Sequence, residues 1–409
     1  MNVMKTLFIF ACLLLVPSLY ASGPLSGKSG LGTLSHPVLN NLSGLAGAGL
    51  AVRDPELFHP LNPSQWVFSR KTHIISSFNW EGFSQSGTSG EAFYSGFGYQ
   101  GTMLVFPVKA DWSVGFSLLP YSRSDYEINQ TLNAPDGSVI STYYGSGGLS
   151  ALRAGAGYRL SATWSVGASA DYYFGVISKN RTVAYSTGTN SYLSDAYKVY
   201  GYGITLSATT FLRPEWIGEK EQLTGAISIQ IPFGLSGTRT QYEYSDLIGD
   251  TTQTVTDITG ALPFTLLVGM AYSRDDRLTI AGDLVFSSSS SIDIPANEAN
   301  PSKDVLTLRT GFSYIPDNSP GARFTNRIRY KAGFSGGLSH VVYSGIQQDE
   351  WGISSGFGLP LPGLGSVLDV GGDIIWRGYL AGTHYKDQVY RLNVGINLTE
   401  LWFQKRMID

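Results

Sequence analysis

The chain has 409 residues and a net charge of −3 at pH 7, and its single cysteine is Cys12. This charge balance contains no basic block for nucleic acid, and one cysteine excludes a disulfide framework or a thiolate metal site. Charged residues make up 14 % of the chain, against roughly a quarter in ordinary soluble proteins. The 49 glycines, 24 tyrosines and 20 phenylalanines favour a membrane-embedded β-protein.

The first 22 residues are typical of a secretory signal peptide. Lys5 precedes an apolar run from Leu7 to Val16, and the small residues Ala21, Ser22 and Gly23 follow. The run is too short to span a bilayer, so we expect cleavage between Ala21 and Gly23 rather than an N-terminal anchor. An exported chain without disulfides suits a bacterial envelope protein.

Residues 23–68 do not alternate as strands do. The stretch "LSGLAGAGLAVRDPELFHPLNPSQW" is first small and apolar and then punctuated by prolines. We predict a compact plug that lies within the barrel formed by residues 69–403, with a short tail at 404–409.

Alternation begins after this segment and is clearest in "WSVGASADYYF", which is Trp164–Phe174. In a strand, neighbouring side chains point to opposite faces. One face here is apolar along its whole length and aromatic at both ends, as expected of a face that meets lipid between two interfacial girdles.

The same pattern recurs through the chain, and no later run of about 18 apolar residues predicts a membrane helix. The predicted strands are Ile74–Trp80, Phe97–Phe106, Trp112–Tyr121, Leu149–Tyr158, Trp164–Phe174, Tyr200–Ala208, Leu223–Phe233, Phe264–Tyr272, Leu278–Phe286, Leu306–Tyr314, Ile328–Phe334, Trp351–Leu359, Leu368–Trp376 and Tyr390–Leu398. A bilayer forbids open sheet edges, and bacterial barrels have even strand numbers. The sequence therefore predicts an all-β fold, a closed antiparallel transmembrane barrel of about fourteen strands. A soluble β-sandwich or β-helix is the alternative.

Short connections alternate with long polar stretches, which are Arg123–Gly137, Ser178–Ala196, Thr238–Gly260 and Ser287–Asp304. Outer-membrane barrels have short periplasmic turns and long outer loops, so we expect these four stretches to be outer loops.

Charged residues on the other face of the strands should line the lumen. They are Arg153, Asp171, Asp283, Arg309, Arg327, Arg329, Lys331, Asp369 and Asp373. Arg327, Arg329 and Lys331 are expected to share one strand face, either as an anion-selective constriction or in structural pairs with Asp283 and with Asp369 or Asp373. Structural pairing is favoured, because unpaired charge away from water costs several kcal/mol.

The N-terminal segment resembles the FadL/TodX family of outer-membrane transporters for hydrophobic compounds. The similarity rests on Gly47, Gly49, Ala51 and Asp54, and on Asn62-Pro63-Ser64 in place of Asn-Pro-Ala. It implies fourteen strands, an N-terminal hatch that blocks the lumen, and a ligand site near these hatch residues. It also implies a lateral exit at a kink in the third strand, where Gly115 or Pro120 would permit the kink.

An enzymatic function is not expected. "GFSGG" (Gly333–Gly337) fits the nucleophile-elbow spacing with Ser335 and would pair with His340 in a lipase, but that motif needs a strand–turn–helix. The five histidines have no metal-ligand spacing, and neither a cofactor nor a metal is predicted.

The resulting prediction is a bacterial outer-membrane channel for passive uptake of small hydrophobic compounds, such as long-chain fatty acids, gated by the plug. Its partners would be a hydrophobic small molecule or lipid and the bilayer, and not nucleic acid. The alternatives are a FadL-like platform that docks secreted or lipidated envelope proteins, and a general polar porin. They differ in whether the lumen holds an apolar pocket, no small molecule, or water.

Overall fold

The computed structural model of the chain describes residues 27, 30–35, 38–87, 90–134, 137–186, 188–212, 218, 220–246, 249–292, 303–319, 321–343, 345–362, 365–380, 382 and 384–401. The predicted signal peptide (residues 1–22) and the predicted tail (residues 404–409) lie outside these ranges.

Long antiparallel strands make up most of the described chain. They are β1 (Thr33–Leu34), β2 (Thr72–Gly87), β3 (Gly90–Lys109), β4 (Trp112–Pro120), β5 (Ser122–Arg123), β6 (Tyr126–Ala134), β7 (Gly137–Arg159), β8 (Trp164–Tyr185), β9 (Asn190–Leu212), β10 (Glu221–Ser245), β11 (Asp250–Ala261), β12 (Thr265–Arg274), β13 (Leu278–Ser287), β14 (Ser291–Ile292), β15 (Val305–Tyr314), β16 (Arg329–Tyr343), β17 (Ile346–Pro360), β18 (Val367–Arg377) and β19 (Lys386–Glu400). The described helical elements are the α-helix α1 (Asn40–Ser43) and two 3-10 helices, Pro63–Phe68 and Phe324–Arg327.

These strands form a closed barrel with fourteen positions around its wall. β4 and β6 share the third position, because both pair with β7. β11 and β12 share the eighth, because both pair with β10. The last strand, β19, pairs with β2 from Lys386–Ser86 to Glu400–Thr72 and closes the wall. The predicted fourteen-stranded antiparallel barrel is confirmed.

The two faces of the strands differ as the alternation predicts. On β13, Ile280 and Leu284 are 48 % and 45 % exposed, while Asp283 between them is 1 % exposed. Apolar side chains on the outer face meet hydrocarbon, and polar ones face the interior. No helix in the described ranges is long and apolar enough to cross a membrane.

The prediction of long outer loops was wrong for three of the four polar stretches. Arg123–Gly137 contains β6, Ser178–Ala196 is the end of β8 and the start of β9, and Thr238–Gly260 is the β10–β11 hairpin. Beyond the bilayer both strand faces meet water, so the apolar alternation stops although the ladder hydrogen bonds continue. The fourth stretch includes β14, and residues 293–302 lie outside the described ranges.

A pair of lysine substitutions tests which part of the wall contacts lipid. Leu308 on β15 and Val255 on β11 are 48 % and 60 % exposed, but only Leu308 lies in the apolar belt. We expect Leu308→Lys to lower the free energy of unfolding from lipid vesicles by about 2–4 kcal/mol. Val255→Lys should change it by less than about 0.5 kcal/mol. If denaturant titrations show the same change in the free energy of unfolding for both substitutions, Leu308 and Val255 do not differ in their contact with lipid and the apolar belt lies elsewhere.

Candidate functional site

The segment from Leu39 to Phe68, here called the hatch, lies inside the barrel. Its leucines are buried and pack against small and aliphatic residues of the inner wall: Leu42, Leu45, Leu50, Leu57 and Leu61 belong to one cluster with Ala226, Leu267, Ala271, Ala281 and Val285. These packed side chains fill this part of the lumen, so this part of the lumen is not a wide aqueous pore.

Asp283, a predicted lumen charge, is bound to the hatch backbone. Its carboxylate accepts hydrogen bonds from the N–H groups of Gly49 at 2.7 Å and Leu50 at 3.0 Å. The hatch turns sharply here, and Gly47 has a φ of +80° that a side chain would strain. A buried carboxylate that accepts two backbone N–H groups fixes this turn against the wall.

Two cations on β16 hold other parts of the hatch. Arg329 forms ion pairs with Asp54 at 2.6 Å and Glu56 at 3.0 Å. Lys331 pairs with Asp369 and donates to the carbonyl of Asn41 at 2.8 Å. Burial raises the pKa of Glu56 although the Arg329 guanidinium opposes that shift. Lys331 thus pairs within the wall as expected, whereas Arg329 pairs with the hatch instead of Asp283.

The remaining predicted lumen charges are dispersed. Arg153 on β7 lies 3.4 Å from Asp171 on β8, and both are buried. Arg327 does not share the strand face of Arg329, because it lies in the 3-10 helix Phe324–Arg327 before β16. In the described residues, no group of three or more His, Cys, Asp or Glu side chains could hold a metal ion.

The Asn62-Pro63-Ser64 stretch docks on the wall at β8 and β9. Asn62 Nδ2 donates to the carbonyl of Leu50 at 2.6 Å, and Ser64 N–H donates to Ser207 Oγ at 2.9 Å. A Cβ on Gly167 would lie 2.3 Å from the Ser64 nitrogen, so the glycine allows this close approach. The Ser64 hydroxyl lies 2.7 Å from Thr209 Oγ1, a contact that alanine could not make.

His59 and Gln65 are two hatch residues that sequence reasoning missed. Gln65 Oε1 accepts from the N–H of His59 at 2.7 Å, and Gln65 Nε2 donates to hatch carbonyls, including that of Gly49 at 3.2 Å. His59 Nδ1 accepts from the N–H of Leu61 at 3.2 Å. Burial, with the charges of Arg309 and Arg153, lowers the pKa of His59 to about 3. Nothing in the local pattern distinguishes these two polar residues from surface ones.

The third wall position is interrupted after Pro120. The chain bends inward, and β5 pairs as a strand with the short strand β1. The flanking N–H groups of Tyr121 and Ser124 donate to the β7 carbonyls of Leu149 and Gly147. β6 then pairs with β7 alone among the described strands, while β4 pairs with β3 only between Thr102 and Lys109. The part of β3 from Gly90 to Gly101 therefore has a strand neighbour only on its β2 side in the described chain. This opening between β3 and β6 is here called the wall gap.

Two glycines near the break have different roles. A Cβ on Gly148 of β7 would lie 2.1 Å from the carbonyl oxygen of Ser122, so the bare backbone lets the inward bend approach. A Cβ on Gly115 would lie 2.7 Å from the ring of Trp66, which means that Gly115 makes room for the hatch. The break thus lies at Pro120 and not at Gly115, the other residue considered for a kink.

A cavity of about 390 Å³ lies between the hatch and the wall gap. Residues 95–100 of β3 and residues 120, 122, 123 and 125 at the inward bend contribute to its lining, so the β3 edge of the gap and the bend that leads into β6 border it. Its charged lining residues are Glu81, Arg123, Asp125, Arg309, Glu350, Asp373, Arg377 and Arg391. The cavity suits a ligand that carries polar groups.

Ser335 and His340 also border this cavity, but the surroundings of a nucleophile elbow are missing. Ser335 lies within β16 and pairs with Gly352 and Arg309 on its two neighbours. His340 Nε2 accepts a hydrogen bond from the N–H of Leu34 at 3.1 Å. The strand–turn–helix that the motif requires does not occur at this position.

Comparison with known proteins places the fold in one structural group. A family model described as BamG matches residues 3–409, and no curated protein matches the chain. The Pseudomonas putida toluene transporter TodX has a TM-score of 0.58 at 15 % identity, covering 92 % of this chain and 100 % of that one. The CymD monoaromatic hydrocarbon channel has a TM-score of 0.58 at 13 % identity, and the match covers 90 % of this chain and 98 % of that one. A Pseudomonas aeruginosa FadL homologue has a TM-score of 0.57 at 13 % identity, and the match covers 89 % of this chain and 99 % of that one. The barrel is therefore of the FadL type.

Removing the Arg329 charge should loosen the hatch without opening the barrel. In Arg329→Gln, the carboxylates of Asp54 and Glu56 lose their cation, which for a largely buried pair costs about 3–5 kcal/mol. We expect faster amide exchange in residues 50–60, measured in detergent micelles. The matched control is Arg274→Gln, whose arginine is 60 % exposed at a turn. Unchanged amide exchange in Arg329→Gln would contradict the role of Arg329 as an anchor of the hatch.

The hatch should also weaken in acid through His59. Its pKa is about 3 when folded and about 6.5 when unfolded, so the unfolded state binds more protons between these values. Stability present above pH 6.5 is lost as the pH falls, by about 2–3 kcal/mol at pH 4.5. We expect hatch amide protection to drop accordingly. In His59→Asn, which keeps an acceptor for Leu61, this part of the pH dependence should vanish; if it persists, other groups cause it.

Proposed function

The chain belongs to the BamG family, and from its FadL-type barrel geometry we propose that it is a passive outer-membrane channel with a lateral opening. The observation that carries the proposal is the wall gap, whose β3 edge borders the internal cavity together with the inward bend that leads into β6. A compound that has entered the lumen can leave sideways into the membrane there, without crossing the inner end of the barrel.

The hatch would close that inner end. The 3-10 helix Pro63–Phe68 lies near the short-turn ends of β7 and β8, because a Cβ on Gly157 or Gly167 would touch Pro63 or Ser64. Short turns lie on the periplasmic side of outer-membrane barrels. We therefore infer that the hatch gates the periplasmic exit and that Asp283, Arg329 and Lys331 hold it shut.

The cavity lining restricts the substrate. A bare aromatic hydrocarbon would leave the charged side chains around it unsolvated, which is costly. An amphiphile with one polar end, such as a long-chain fatty acid, places that end in the cavity and its apolar chain at the gap. We propose this class of compound in preference to hydrocarbons.

A docking platform for envelope proteins is the second candidate. The strands on one side of the barrel rise past the apolar belt as a tall sheet, and its exposed side chains include Leu132, Ile140, Tyr144, Tyr242 and Val255. Apolar groups on a water-facing sheet are typical of interaction surfaces. Cross-linking in intact cells that traps one partner on this sheet, in a protein without uptake activity, would favour docking.

Blocking the cavity at its rim tests the channel. Gly98 on β3 borders the cavity, and the atoms nearest to a Cβ there would be at the side-chain ends of Asn79 and Arg123. We expect Gly98→Phe to slow uptake of a labelled fatty acid at least tenfold in cells whose lipopolysaccharide blocks direct entry.

The matched control is Gly282→Phe on the lipid face of β13, where the nearest atom to a new Cβ is 3.9 Å away. It should take up the fatty acid at the wild-type rate. If wild-type cells take up the fatty acid no faster than cells without the protein, the channel is refuted. If cells with Gly98→Phe take it up as fast as wild type, the route through this cavity is refuted.

A further inference from the structure

The outer parts of five neighbouring strands share an outward face without charge. The segments pair in register and are Thr142–Ser146 on β7, Ser178–Thr182 on β8, Tyr192–Ala196 on β9, Thr240–Tyr244 on β10 and Thr251–Val255 on β11. In each, the first, third and fifth residues lie on the same strand face as the lipid-exposed Tyr172 and Tyr202 further along β8 and β9. None of these outward residues is charged. They are here called the tyrosine face.

The opposite face of the same segments does carry charge. Lys179, Asp195 and Arg239 alternate with residues of the tyrosine face, and Arg239 Nε lies 2.7 Å from Asp195 Oδ1. An ordinary water-facing surface contains roughly 25–35 % charged residues. Charge on the inner side of these strands and none on the outer side indicates that the tyrosine face meets a neighbour other than bulk water.

The tyrosine rings are held apart by small polar side chains. Tyr144 and Tyr242, 38 % and 40 % exposed, lie in one row that runs through Asn180 and Ser194. Their backbones are therefore three strand spacings apart, which is about 14 Å. The hydroxyl of Tyr192 in the next row donates to Asn180 Oδ1 at 3.0 Å. The face thus presents fixed rings with hydroxyl and amide groups between them.

This pattern suits a sugar chain better than a protein. A tyrosine ring offers a rigid apolar surface with a polar tip, and Ser and Asn add adaptable hydrogen bonds. A sugar ring is complementary, because it has an apolar C–H face and a rim of hydroxyl groups. A protein interface needs an apolar centre, whereas the aliphatic residues here, Ala196 and Val255, both lie in the row nearest the membrane.

The position of the tyrosine face determines which sugar chain it meets. Tyr200 and Tyr202 on β9 are 46 % and 58 % exposed and belong to the aromatic girdle at the headgroup level. Tyr192 precedes Tyr200 in β9 by about 26 Å along the strand. The face continues the lipid-facing surface of the same strands, so its neighbours are molecules whose lipid ends lie against the belt below. In an outer membrane, these are lipopolysaccharides.

The distribution of charge agrees with the layers of a lipopolysaccharide. Its phosphate and acidic groups are close to the lipid, and its outer sugars carry mostly neutral hydroxyl groups. Charged residues return on the outer side of the wall in the row directly below the tyrosine face, at Lys198 and Asp257. The uncharged face begins only beyond that row, at the level of the outer sugars.

We propose that the tyrosine face binds the outer neutral sugars of lipopolysaccharide molecules that stand beside the barrel. Tyr144 and Tyr242 contact the apolar faces of sugar rings, and Asn180 and Ser194 bind hydroxyl groups between them. The inference does not rest on the proposed channel and shares with it only the outer-membrane location.

Lipopolysaccharide from the bacterium that makes the protein provides the probes. Mild acid cleaves it into lipid A and a water-soluble polysaccharide, so three ligands can be compared. Binding of each to the purified full-length protein in a non-ionic detergent is measured by isothermal titration calorimetry. We expect the released polysaccharide to bind without its lipid, and intact lipopolysaccharide to bind at least tenfold more tightly than lipid A.

Substitutions separate ring stacking from other contacts. Replacing both Tyr144 and Tyr242 by Ala should weaken polysaccharide binding about tenfold and leave lipid A binding unchanged, whereas Phe at both positions should retain binding. Ser194→Glu places a carboxylate between the rings and should have the effect of the two alanines, without removing a ring that contributes to folding. Tyr330→Ala, at a tyrosine 38 % exposed near the start of β16, is the control and should bind like wild type.

Three results would overturn the inference. They are a released polysaccharide that does not bind, lipid A that binds as tightly as intact lipopolysaccharide, and polysaccharide binding that neither the alanine pair nor Ser194→Glu weakens. An envelope protein that cross-links at Ser194 in cells, together with absent polysaccharide binding, would assign the face to a protein partner instead. Fatty-acid uptake does not enter these measurements, so the proposed channel and this inference fail separately.

Discussion

Backbone hydrogen bonding is the constraint on which this structure depends. In a bilayer, each N–H and C=O of a strand must find a partner within the protein, and the ladder from β2 round to β19 meets that demand by closing. The closure then fixes which side chains face lipid and which face the lumen. The interruption after Pro120 is an exception to this closure, because beyond it β3 is not paired with the third wall position.

The lumen is organised around the hatch. Apolar packing fills the space, while Asp283, Arg329 and Lys331 bind backbone groups and carboxylates of the hatch at separate points. Each wall charge is buried, so removing its partner would leave it uncompensated. A plug held by a few such contacts is stable when all are intact and sensitive to the loss of one.

Much of the barrel could be predicted from the sequence, because lipid forces apolar side chains onto every second position. Each of the fourteen predicted segments overlaps a strand. The outer parts of β8 to β11 were mistaken for loops, since no physical rule requires alternation in water. Lys331–Asp369 pairing followed from opposite charges on the inner faces of strands two positions apart. The partners of Arg329 and Asp283 did not, because the position of the hatch backbone is set by packing that no local pattern records.

The central claim is that the wall is closed except beside β3, and amide hydrogen exchange in lipid nanodiscs measures this directly. β3 pairs with β4 from Thr102 to Lys109 but has no described strand on that side from Gly90 to Gly101. In residues 93–100, the amides that point away from β2 should exchange orders of magnitude faster than those of residues 102–106. Uniform protection along β3 would show a closed wall and contradict the account.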